Sequence, residues 1–240
     1  MAEENRSNHP APPTKDEKPS TDRFMGWRDM VITPLVFFSI ITIAGVGVWQ
    51  LNRRVELGLF ANTLVFFVLL VAITLIALKI IRTLFPLRDG IYSYDREPGA
   101  CFIWNLMGFL CITVLAFQYH NLLIPIPFRK LFYQLMGAKL GKGMIIIGGR
   151  VLEPWRVTIE EGAVIGDDAG LAPHVLAGKS TLVLGSIHIK RGATIGARSV
   201  IMPGVTIGED AVVNLMSVVP MNTRIGDNEV WGGNPAVRIR

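Results

Sequence analysis

Charged residues are absent from three long stretches in the first half of the chain. Positions 31–51, 57–78 and 98–128 contain no Asp, Glu, Lys or Arg. A helix of roughly 20 residues is long enough to cross a hydrocarbon core of about 30 Å. The first two runs therefore predict two membrane-spanning helices joined by a short turn. A pair of buried core helices is the alternative, but neither run shows the polar face of a helix packed at the surface of a soluble core.

The third uncharged run predicts a less regular element. Its first part, at about 100–118, is apolar enough to span, whereas the rest contains a histidine, an asparagine and two prolines. Lys and Arg are concentrated in segments 1–30 and 79–97 and after position 128, and they are sparse in the turn at 52–56. The positive-inside rule places the richer segments in the cytoplasm. This favours two spans plus a re-entrant or interfacial segment at 100–128 over a third full crossing.

The chain divides into three parts by composition. Residues 1–30 are polar, rich in proline and of mixed charge, which predicts a disordered tail rather than a signal peptide. Residues 31–128 form the predicted membrane region. Residues 129–240 are dense in glycine and β-branched side chains and keep no helical period. We therefore predict a mainly β C-terminal domain at 129–240, preceded by an α-helical transmembrane region.

A period of six runs through the C-terminal part. Every sixth residue from 159 to 225 is apolar, and small or β-branched residues recur four places later. The members of this series are Ile159, Ile165, Leu171, Ala177, Val183, Ile189, Ile195, Ile201, Ile207, Val213, Val219 and Ile225. Such a repeat predicts a coil of three short strands, each one hexapeptide long, in which the large residue fills the interior.

The phase of the repeat gives more detailed expectations. It continues without a slip from position 159 to position 225, which predicts about four coils and no inserted loop. Ile147 also fits the phase, so the coil is expected to begin near Leu140. An acceptor site would then be formed by the groove of the coil or by the membrane region.

The segment 189–239 resembles the left-handed parallel β-helix of hexapeptide-repeat acyltransferases. It reads IKRGATIGARSVIMPGVTIGEDAVV and, further on, VVPMNTRIGDNEVWGGNPAVRI. The flanking segments GAKLGKG and LEPWRVTIEEGAVIGDDAGLAPH are similar to membrane-associated modules at the ends of some non-ribosomal peptide synthetases. The resemblance implies a homotrimer with active sites in the clefts between β-helices. It also implies acetyl-CoA as the acyl donor and a histidine that takes the proton of an acceptor hydroxyl or amine.

Two histidines lie in the repeat and are candidates for that base. His174 falls at an outward-facing place of its hexapeptide, and it matches the position of the family's catalytic histidine. Histidine suits this role because its ordinary titration lies near neutral pH. His188 is the alternative candidate. Each of the two residues can also be interpreted as an ordinary surface histidine without a catalytic role. His9 belongs to the tail and His120 to the membrane region.

A carboxylate beside the histidine would fix its tautomer. Asp168 and Glu153 are the principal candidates, with Asp167 beside them. No metal is expected, because zinc in related carbonic anhydrases needs three histidines from two subunits.

The resemblance also suggests residues for the donor. Ala197, Gly204 and Ser217 match small positions at which the family binds the CoA arm through the backbone. Cations that would pair with its phosphates are Lys190, Arg191, Arg198 and Arg238. A solvated surface charge is the alternative for each of these cations.

Composition and charge narrow the function further. The mean hydropathy of +0.42 and the 18% of charged residues exclude a purely soluble single-core protein. No interleaving of basic and aromatic residues suggests nucleic acid. Segment 129–135 could lie flat at the lipid surface, with Phe128, Leu131, Phe132 and Leu135 in the lipid and its cations pointing to water.

Together these features predict an acyltransferase anchored in the inner (plasma) membrane, with its β-helix in the cytoplasm. It would use acetyl-CoA and a membrane-linked acceptor, such as a lipid-linked saccharide. A non-catalytic trimeric scaffold and an accessory module of a biosynthetic complex are the alternatives.

Overall fold

The computed structural model describes residues 25–119, 126–178 and 180–240. The predicted tail therefore lies largely outside the described residues, as do His9 and His120. The described chain begins with a helical part and continues into a β part. The helices are α1 (Trp27–Asn52), α2 (Leu59–Leu84), α3 (Pro98–Tyr119) and α4 (Ile126–Leu135).

Helices α1 and α2 form an antiparallel pair that is longer than the uncharged runs. Helix α1 starts before position 31, because Asp29 accepts a hydrogen bond from the backbone N–H of Gly26 and caps the first turn. Helix α2 runs past 78 into the first part of the basic linker, where Arg82 donates to the carbonyl oxygen of Met136. The outward surfaces of both helices are rich in exposed Leu, Ile, Val and Phe, as expected for surfaces that face lipid.

Helix α3 is continuous over 22 residues and is the most buried of the three long helices. Among the described residues, α1, α2 and α3 are each long and apolar enough to cross a membrane. Helix α3 packs against α2 on one side and against the β part on the other. Membrane association of the helical part follows from these lengths and compositions.

The β part contains a parallel coil of short strands. Its strands are β2 (Lys139–Leu140), β3 (Ile145–Ile146), β4 (Arg150–Val151), β5 (Val157–Ile159), β6 (Val164–Ile165), β7 (Gly170–Leu171), β10 (Ile187–Ile189), β11 (Thr194–Ile195), β12 (Val200–Ile201), β13 (Thr206–Ile207), β14 (Val212–Val213), β15 (Val218–Val219), β16 (Arg224–Ile225) and β17 (Val230–Gly233). The terminal β18 (Ala236–Arg238) folds back antiparallel to β17. Three strands outside the coil are β1 (Gly90–Ser93), β8 (His174–Ala177) and β9 (Thr181–Leu184).

Three parallel sheets form the faces of a prism. The first sheet contains β2, β5, β10, β13 and β16, the second contains β3, β6, β11, β14 and β17, and the third contains β4, β7, β12 and β15. We call the turns from the first sheet to the second the first edge, those from the second to the third the second edge, and those from the third back to the first the third edge. This architecture is a left-handed parallel β-helix, and the predicted fold class is confirmed.

The hexapeptide rule fixes the interior of this prism. All members of the series from Ile159 to Ile225, apart from Ala177 and Val183, are at most 3% exposed. From β10 onward each residue pairs with the residue 18 positions later, as in His188 with Thr206 and Thr194 with Val212. Glycine at a turn allows consecutive coils to touch: a Cβ atom on Gly196 would lie 2.3 Å from the backbone nitrogen of Leu215.

The prediction of an uninterrupted register is wrong at one place. Thr158 pairs with His188, which lies two hexapeptides further along the chain than the regular spacing would place its partner. The additional residues form the hairpin β8–β9, inserted at the third edge between β7 and β10. Ala177 and Val183 therefore lie on this hairpin and not in the coil. The hexapeptide periodicity did not reveal this insertion, because the insertion equals two hexapeptides and leaves the phase of the repeat unchanged.

The first coil is also irregular. Its strands pair one or two positions beyond the regular spacing, as in Lys139 with Thr158 and Arg150 with Gly170. As a result Ile146 points inward at 3% exposure, and Ile147, predicted to be in phase, is 42% exposed. The expected start of the coil near Leu140 agrees with β2.

Helix α4 lies against this first coil. Phe128, Leu131 and Leu135 are exposed along one face, as expected for a segment at a lipid surface, whereas Phe132, also expected there, is partly buried against the core. Its cations do not reach toward water, however. Arg129 donates to the carbonyl oxygen of Ile147, and Lys130 donates to a carbonyl oxygen of the same coil, so both tie the helix to the β part.

Candidate active site

The inserted hairpin β8–β9 is held by the segment that connects α2 to α3. Strand β1 of this connector pairs antiparallel with β9, so β1, β9 and β8 form a separate three-stranded sheet. Leu182 and Leu184 of β9 are buried against Cys101 at the start of α3. The hairpin is thus built jointly from the β-helix sequence and from the helical part of the chain.

A buried arginine fixes the base of the hairpin. Arg156 is 7% exposed and forms an ion pair with Asp89 of the connector, and it also donates to the carbonyl oxygen of Leu87 at 2.9 Å. Asp89 in turn accepts the backbone N–H of Ser186 at 2.9 Å and its hydroxyl at 3.0 Å. One carboxylate therefore joins the connector, the first coil and the end of the hairpin.

His174, the first residue of β8, meets Glu153 of the preceding coil. Both lie at the third edge, and the spacing of one coil places these turns next to each other. His174 Nδ1 is 2.7 Å from Glu153 Oε1 and 2.9 Å from Oε2. The glutamate is 4% exposed, whereas the histidine side chain is 24% exposed. A carboxylate on Nδ1 leaves Nε2 as the nitrogen that can exchange a proton with a substrate.

Trp104 of α3 contacts both members of this pair. Its Nε1–H donates to Glu153 Oε1 at 3.1 Å. Its ring lies edge-on to the His174 ring, with 4.9 Å between the centroids. A residue from a helix long enough to span a membrane thus helps to set the position of the carboxylate.

The backbone of Glu153 adopts the left-handed conformation, with φ at +40°. Other non-glycine residues with positive φ, such as Asp168 and Arg198, sit shortly before a strand at the regular turns. Glu153 instead precedes a 3-10 turn, Pro154–Arg156, that is specific to the first coil. Such strained positions cost about 1–3 kcal/mol and cluster at functional sites.

The His174–Glu153 pair opens into a cavity of about 360 Å³. The cavity lies between α1, α3 and the first coil. Its lining residues are Met25, Asp29, Thr33, Trp104, Asn105, Gly108, Phe109, Cys111, Ile112, Leu115, Leu152, Glu153 and His174. Most of this surface is apolar, and the polar groups are few, which is the usual character of a small-molecule site.

A second set of polar contacts borders the cavity. Asn105 Nδ2 donates to the buried Asp29 at 2.9 Å, and the hydroxyl of Tyr94 donates to Asn105 Oδ1 at 3.0 Å. Burial raises the pKa of Tyr94 well above its ordinary value, so the hydroxyl remains protonated as a donor. These contacts fix the amide of Asn105 in the wall of the cavity.

The other candidates for acid–base chemistry lie elsewhere. Asp168, at the second edge, pairs with Arg150 at 2.6 Å, and both side chains are about half exposed. Asp167 uses its backbone carbonyl to accept the N–H of Arg198. His188 of β10 pairs at 2.6 Å with Glu160, which follows β5, and their side chains are 42% and 38% exposed. Of the predicted carboxylates, the structure brings Glu153 to His174.

The residues suggested for the donor are spread over the prism. Gly204 is at the third edge, where its backbone nitrogen packs on Gly185 at the end of the insertion. Ala197, Arg198 and Ser217 are at the second edge, and Lys190 is at the first.

Their side chains also differ in how far they are already engaged. Ser217 is fully buried, and its hydroxyl accepts the N–H of Gly233. Lys190 is paired with Asp227 at 3.2 Å, and Arg238 is paired with Glu229 at 3.1 Å. Within one chain these residues do not converge on a single site.

Comparisons with known proteins find similar sequences and structures for just under half of the chain. No protein-family model matches the chain. The chain is 34% identical over 136 residues to the Escherichia coli K12 protein named "Putative colanic acid biosynthesis acetyltransferase WcaF", covering 47% of this chain and 74% of that relative. The chain belongs to the hexapeptide-repeat acyltransferase family.

Two further similarities cover smaller shares of the matched proteins. Delta-poly-L-ornithine synthetase of Acinetobacter baumannii is 31% identical over 109 residues, which is 45% of this chain and only 8% of that relative. A solved hexapeptide-repeat acetyltransferase of Vibrio cholerae, in complex with acetyl coenzyme A, is 27% identical with a TM-score of 0.40, covering 43% of this chain and 60% of that one. The sequence-based prediction of a hexapeptide-repeat acyltransferase is confirmed by the family membership.

Sequence reasoning about this acyltransferase missed the contribution of the helical part. Trp104 and Asn105 lie in the third uncharged run, and Asp29 lies just before the first. Their signal was present, because a polar or hydrogen-bonding side chain within an apolar membrane segment is a candidate functional group. What the sequence did not contain was the packing of α3 along the first coil.

Proposed function

We propose that the protein transfers an acetyl group from acetyl-CoA to a hydroxyl or amine of a membrane-linked acceptor, with His174 as the general base. Acyl transfer itself follows from the family. The observation that carries the finer proposal is the contact of His174 Nδ1 with buried Glu153 at 2.7 Å, at the mouth of a cavity shared with α1 and α3.

The proton inventory of the reaction is simple. Glu153 accepts the Nδ1–H of His174, so Nε2 is free to take the proton of the acceptor hydroxyl or amine. The acceptor atom then attacks the acyl carbon of the thioester. As the carbon–sulfur bond breaks, the proton on Nε2 passes to the leaving sulfur, and CoA leaves as the thiol. His174 returns to its starting state.

The donor is proposed to lie along the outside of the β-helix. Gly204 lies at the same edge of the prism as the hairpin that carries His174, which supports a donor site on this side of the β-helix. Arg198 makes no ion pair with any described residue, so it is the cation best placed to meet a CoA phosphate. Lys190 and Arg238 would have to exchange their present carboxylates for that role.

A homotrimer follows as part of the proposal. The donor residues Gly204 and Arg198 lie at different edges of one prism, and a groove between two prisms brings different edges together. Leu215 and Met216 of the second edge are 66% and 63% exposed, which is unusual for neighbouring large apolar residues and suits a protein interface. Trimeric assembly is also what the family resemblance implies.

The acceptor is proposed to be linked to the membrane because α1 and α3 line the cavity. The positive-inside rule places the β-helix, and with it the CoA site, in the cytoplasm at the inner face of the plasma membrane. A lipid-linked saccharide has the required combination of a hydroxyl or amine and an apolar anchor.

Release of free CoA thiol by the full-length protein in nanodiscs tests the proposal. Acetyl-CoA would be supplied with extracts of membrane lipids, and wild type would be compared with His174→Ala and His188→Ala. Removing a general base is expected to lower the acceptor-dependent rate by about 10²–10⁴-fold. His188→Ala is the matched control, because it removes another histidine paired with a glutamate, but from a regular coil.

Three results would count against the proposal. Equal rates for His174→Ala and wild type would exclude the base. Loss of activity in His188→Ala alone would transfer the role to that residue. A folded trimer that neither binds CoA nor releases thiol would favour the non-catalytic scaffold.

A further inference from the structure

The cavity beside His174 changes in character along α3. Its lining residues on this helix run from Trp104 to Leu115, which at about 1.5 Å per residue is a distance of roughly 16 Å. Trp104 and Asn105 are at one end of this stretch. Beyond them the lining on this helix is mostly apolar, with Phe109, Ile112 and Leu115 and with the thiol of Cys111, which lies 3.9 Å from Met136 Sδ.

The polar end of the cavity holds the groups that can act on a substrate. His174 and Glu153 lie there, and Asp29 with Asn105 provides a second polar surface. The remaining lining contains only the uncharged polar groups of Thr33 and Cys111, and no further carboxylate or histidine among the described residues. A ligand that matched this gradient would place a polar head group beside His174 and a hydrocarbon chain along α3.

Gly108 keeps the middle of the cavity open. It lines the cavity between the two ends, and a Cβ atom added to it would meet no atom within 4 Å. A larger residue at this point would therefore project into the free space without first displacing a neighbour. Glycine in a helix is otherwise unfavourable by about 1 kcal/mol relative to alanine.

Two molecules in the proposed reaction could supply a hydrocarbon chain, namely a longer acyl donor or the acceptor. A base takes its proton from the acceptor, so the ligand that enters the cavity lined by His174 is the acceptor. The helices α1 and α3 that form the cavity are long and apolar enough to span a membrane, so a chain lying between them is within reach of lipid. The donor residues, by contrast, are on the β-helix.

We propose that this cavity binds the hydrocarbon chain of an amphiphilic acceptor whose head group lies against His174. The identity of the ligand as the acceptor rests on the proposed acyl transfer, but the binding of a chain can be tested without turnover. The ligand class is a single-chain or polyprenyl-type amphiphile with a hydroxyl or amine head. Such a ligand accounts for the lining of the cavity by α1 and α3.

Photolabelling with two probes tests the inference. The full-length protein in nanodiscs would be exposed to dodecyl glucoside that carries a diazirine in its chain, and separately to decanoyl-CoA with the same group. Labelled peptides would be mapped by mass spectrometry. The glucoside is expected to label the α3 segment 105–115 and the start of α1, in competition with unlabelled dodecyl glucoside.

A matched pair of glycine variants makes the test specific. Gly108→Leu is expected to lower this labelling by about tenfold, since its side chain displaces about two methylene groups of the bound chain. Gly45→Leu is the control, because Gly45 is also a helix glycine at which an added Cβ would meet no atom, but it does not line the cavity. Ile112→Asn is a second variant, which weakens the apolar end of the cavity without filling it.

The outcomes separate this inference from the proposed function. Labelling that is unchanged in Gly108→Leu and Ile112→Asn would overturn the chain site. Labelling of the same segment by decanoyl-CoA, and not by the glucoside, would assign the chain to the donor and also overturn it. Chain labelling that persists while His174→Ala releases CoA at the wild-type rate would leave the chain site standing and refute the proposed base.

Discussion

The coils from β10 onward and the coil before them follow the same hexapeptide pattern but are built differently. From His188 to Trp231 the paired strands keep a constant spacing of three hexapeptides. Between β5 and β10 the spacing is two hexapeptides longer, because a hairpin leaves the prism at the third edge. The regular coils line no part of the cavity, whereas His174 of the inserted hairpin and Glu153 of the irregular first coil both line it. A repeat thus supplies a rigid support, and the chemistry is placed where the repeat is broken.

The sharpest way to test this contrast is to neutralise the glutamate partner of each histidine, His174 on the inserted hairpin and His188 on the first regular strand. Glu153→Gln removes the charge that fixes Nδ1 of His174 and is expected to lower the rate by about 100-fold or more. Glu160→Gln removes the partner of His188 on β10 and is expected to leave the rate within about twofold. The measurement is release of CoA thiol under saturating acetyl-CoA. Equal losses in both variants would remove the distinction.

Glycines that touch the next coil are predicted to be less tolerant of added volume than glycines that do not. Gly196→Ala would place a methyl group 2.3 Å from the backbone of the next coil, and such overpacking costs about 1–3 kcal/mol of unfolding free energy. Gly170→Ala, in the interrupted coil, adds the same atom where nothing lies within 4 Å and is expected to be near neutral. Thermal unfolding would report this as a fall of about 2–4 °C per kcal/mol for Gly196→Ala. A similar fall in both variants would contradict the difference in packing.

Removing the hydrogen bond that links α3 to the site is expected to have a smaller effect on the reaction rate. Trp104→Phe keeps a ring beside His174 but removes the N–H that donates to Glu153. Loss of one hydrogen bond to a charged group, about 1.5–3 kcal/mol in general, predicts a fall in kcat of about tenfold or more. Trp155→Phe is the control, because Trp155 packs beside the core and is absent from the cavity lining. If Trp104→Phe changed only KM, the tryptophan would belong to substrate binding instead of positioning.

The smallest expected effect is a change in the unfolding temperature at acid pH, caused by two carboxylates of the last coil. The N–H of Glu209, together with Lys190, lowers the pKa of Asp227, and the indole N–H of Trp231 lowers the pKa of Glu229. Groups with a lowered folded-state pKa stabilise the protein above their ordinary pKa, and the contribution is lost as pH falls through the folded value. We expect the unfolding temperature to fall on acidification below about pH 5, and to fall less steeply in Asp227→Asn combined with Glu229→Gln. Parallel pH profiles for the two proteins would show that these pairs contribute nothing.

Sequence reasoning reached the β-helix because the interior of such a coil depends on one residue in six. The large aliphatic residues at 189, 195 and 201 are all buried as expected. The same count could not show which strands pair with each other. An insertion of any whole number of hexapeptides leaves the phase of the repeat unchanged. That is why the hairpin carrying His174 was first assigned to the coil.

The site was reached only in part for a related reason. His174 was a candidate because it matches the position of the family's catalytic histidine, and Glu153 was one of three candidate carboxylates. Trp104 and Asp89 were not candidates, because their positions depend on how α3 and its connector pack on the first coil. Local pattern describes each segment, and it contains little information about contacts between segments of different type.

The place of the hairpin has a consequence for how such enzymes change over time. A segment that leaves the prism at an edge does not displace the later coils, because each later strand is positioned by its own inward-facing residue and by its pairing with the coil before it. An insertion of two whole repeats leaves the register of all later coils intact. A hairpin that carries a catalytic residue can therefore be gained, lost or moved to another coil in one genetic step. A protein engineer could graft it onto another coil in the same way.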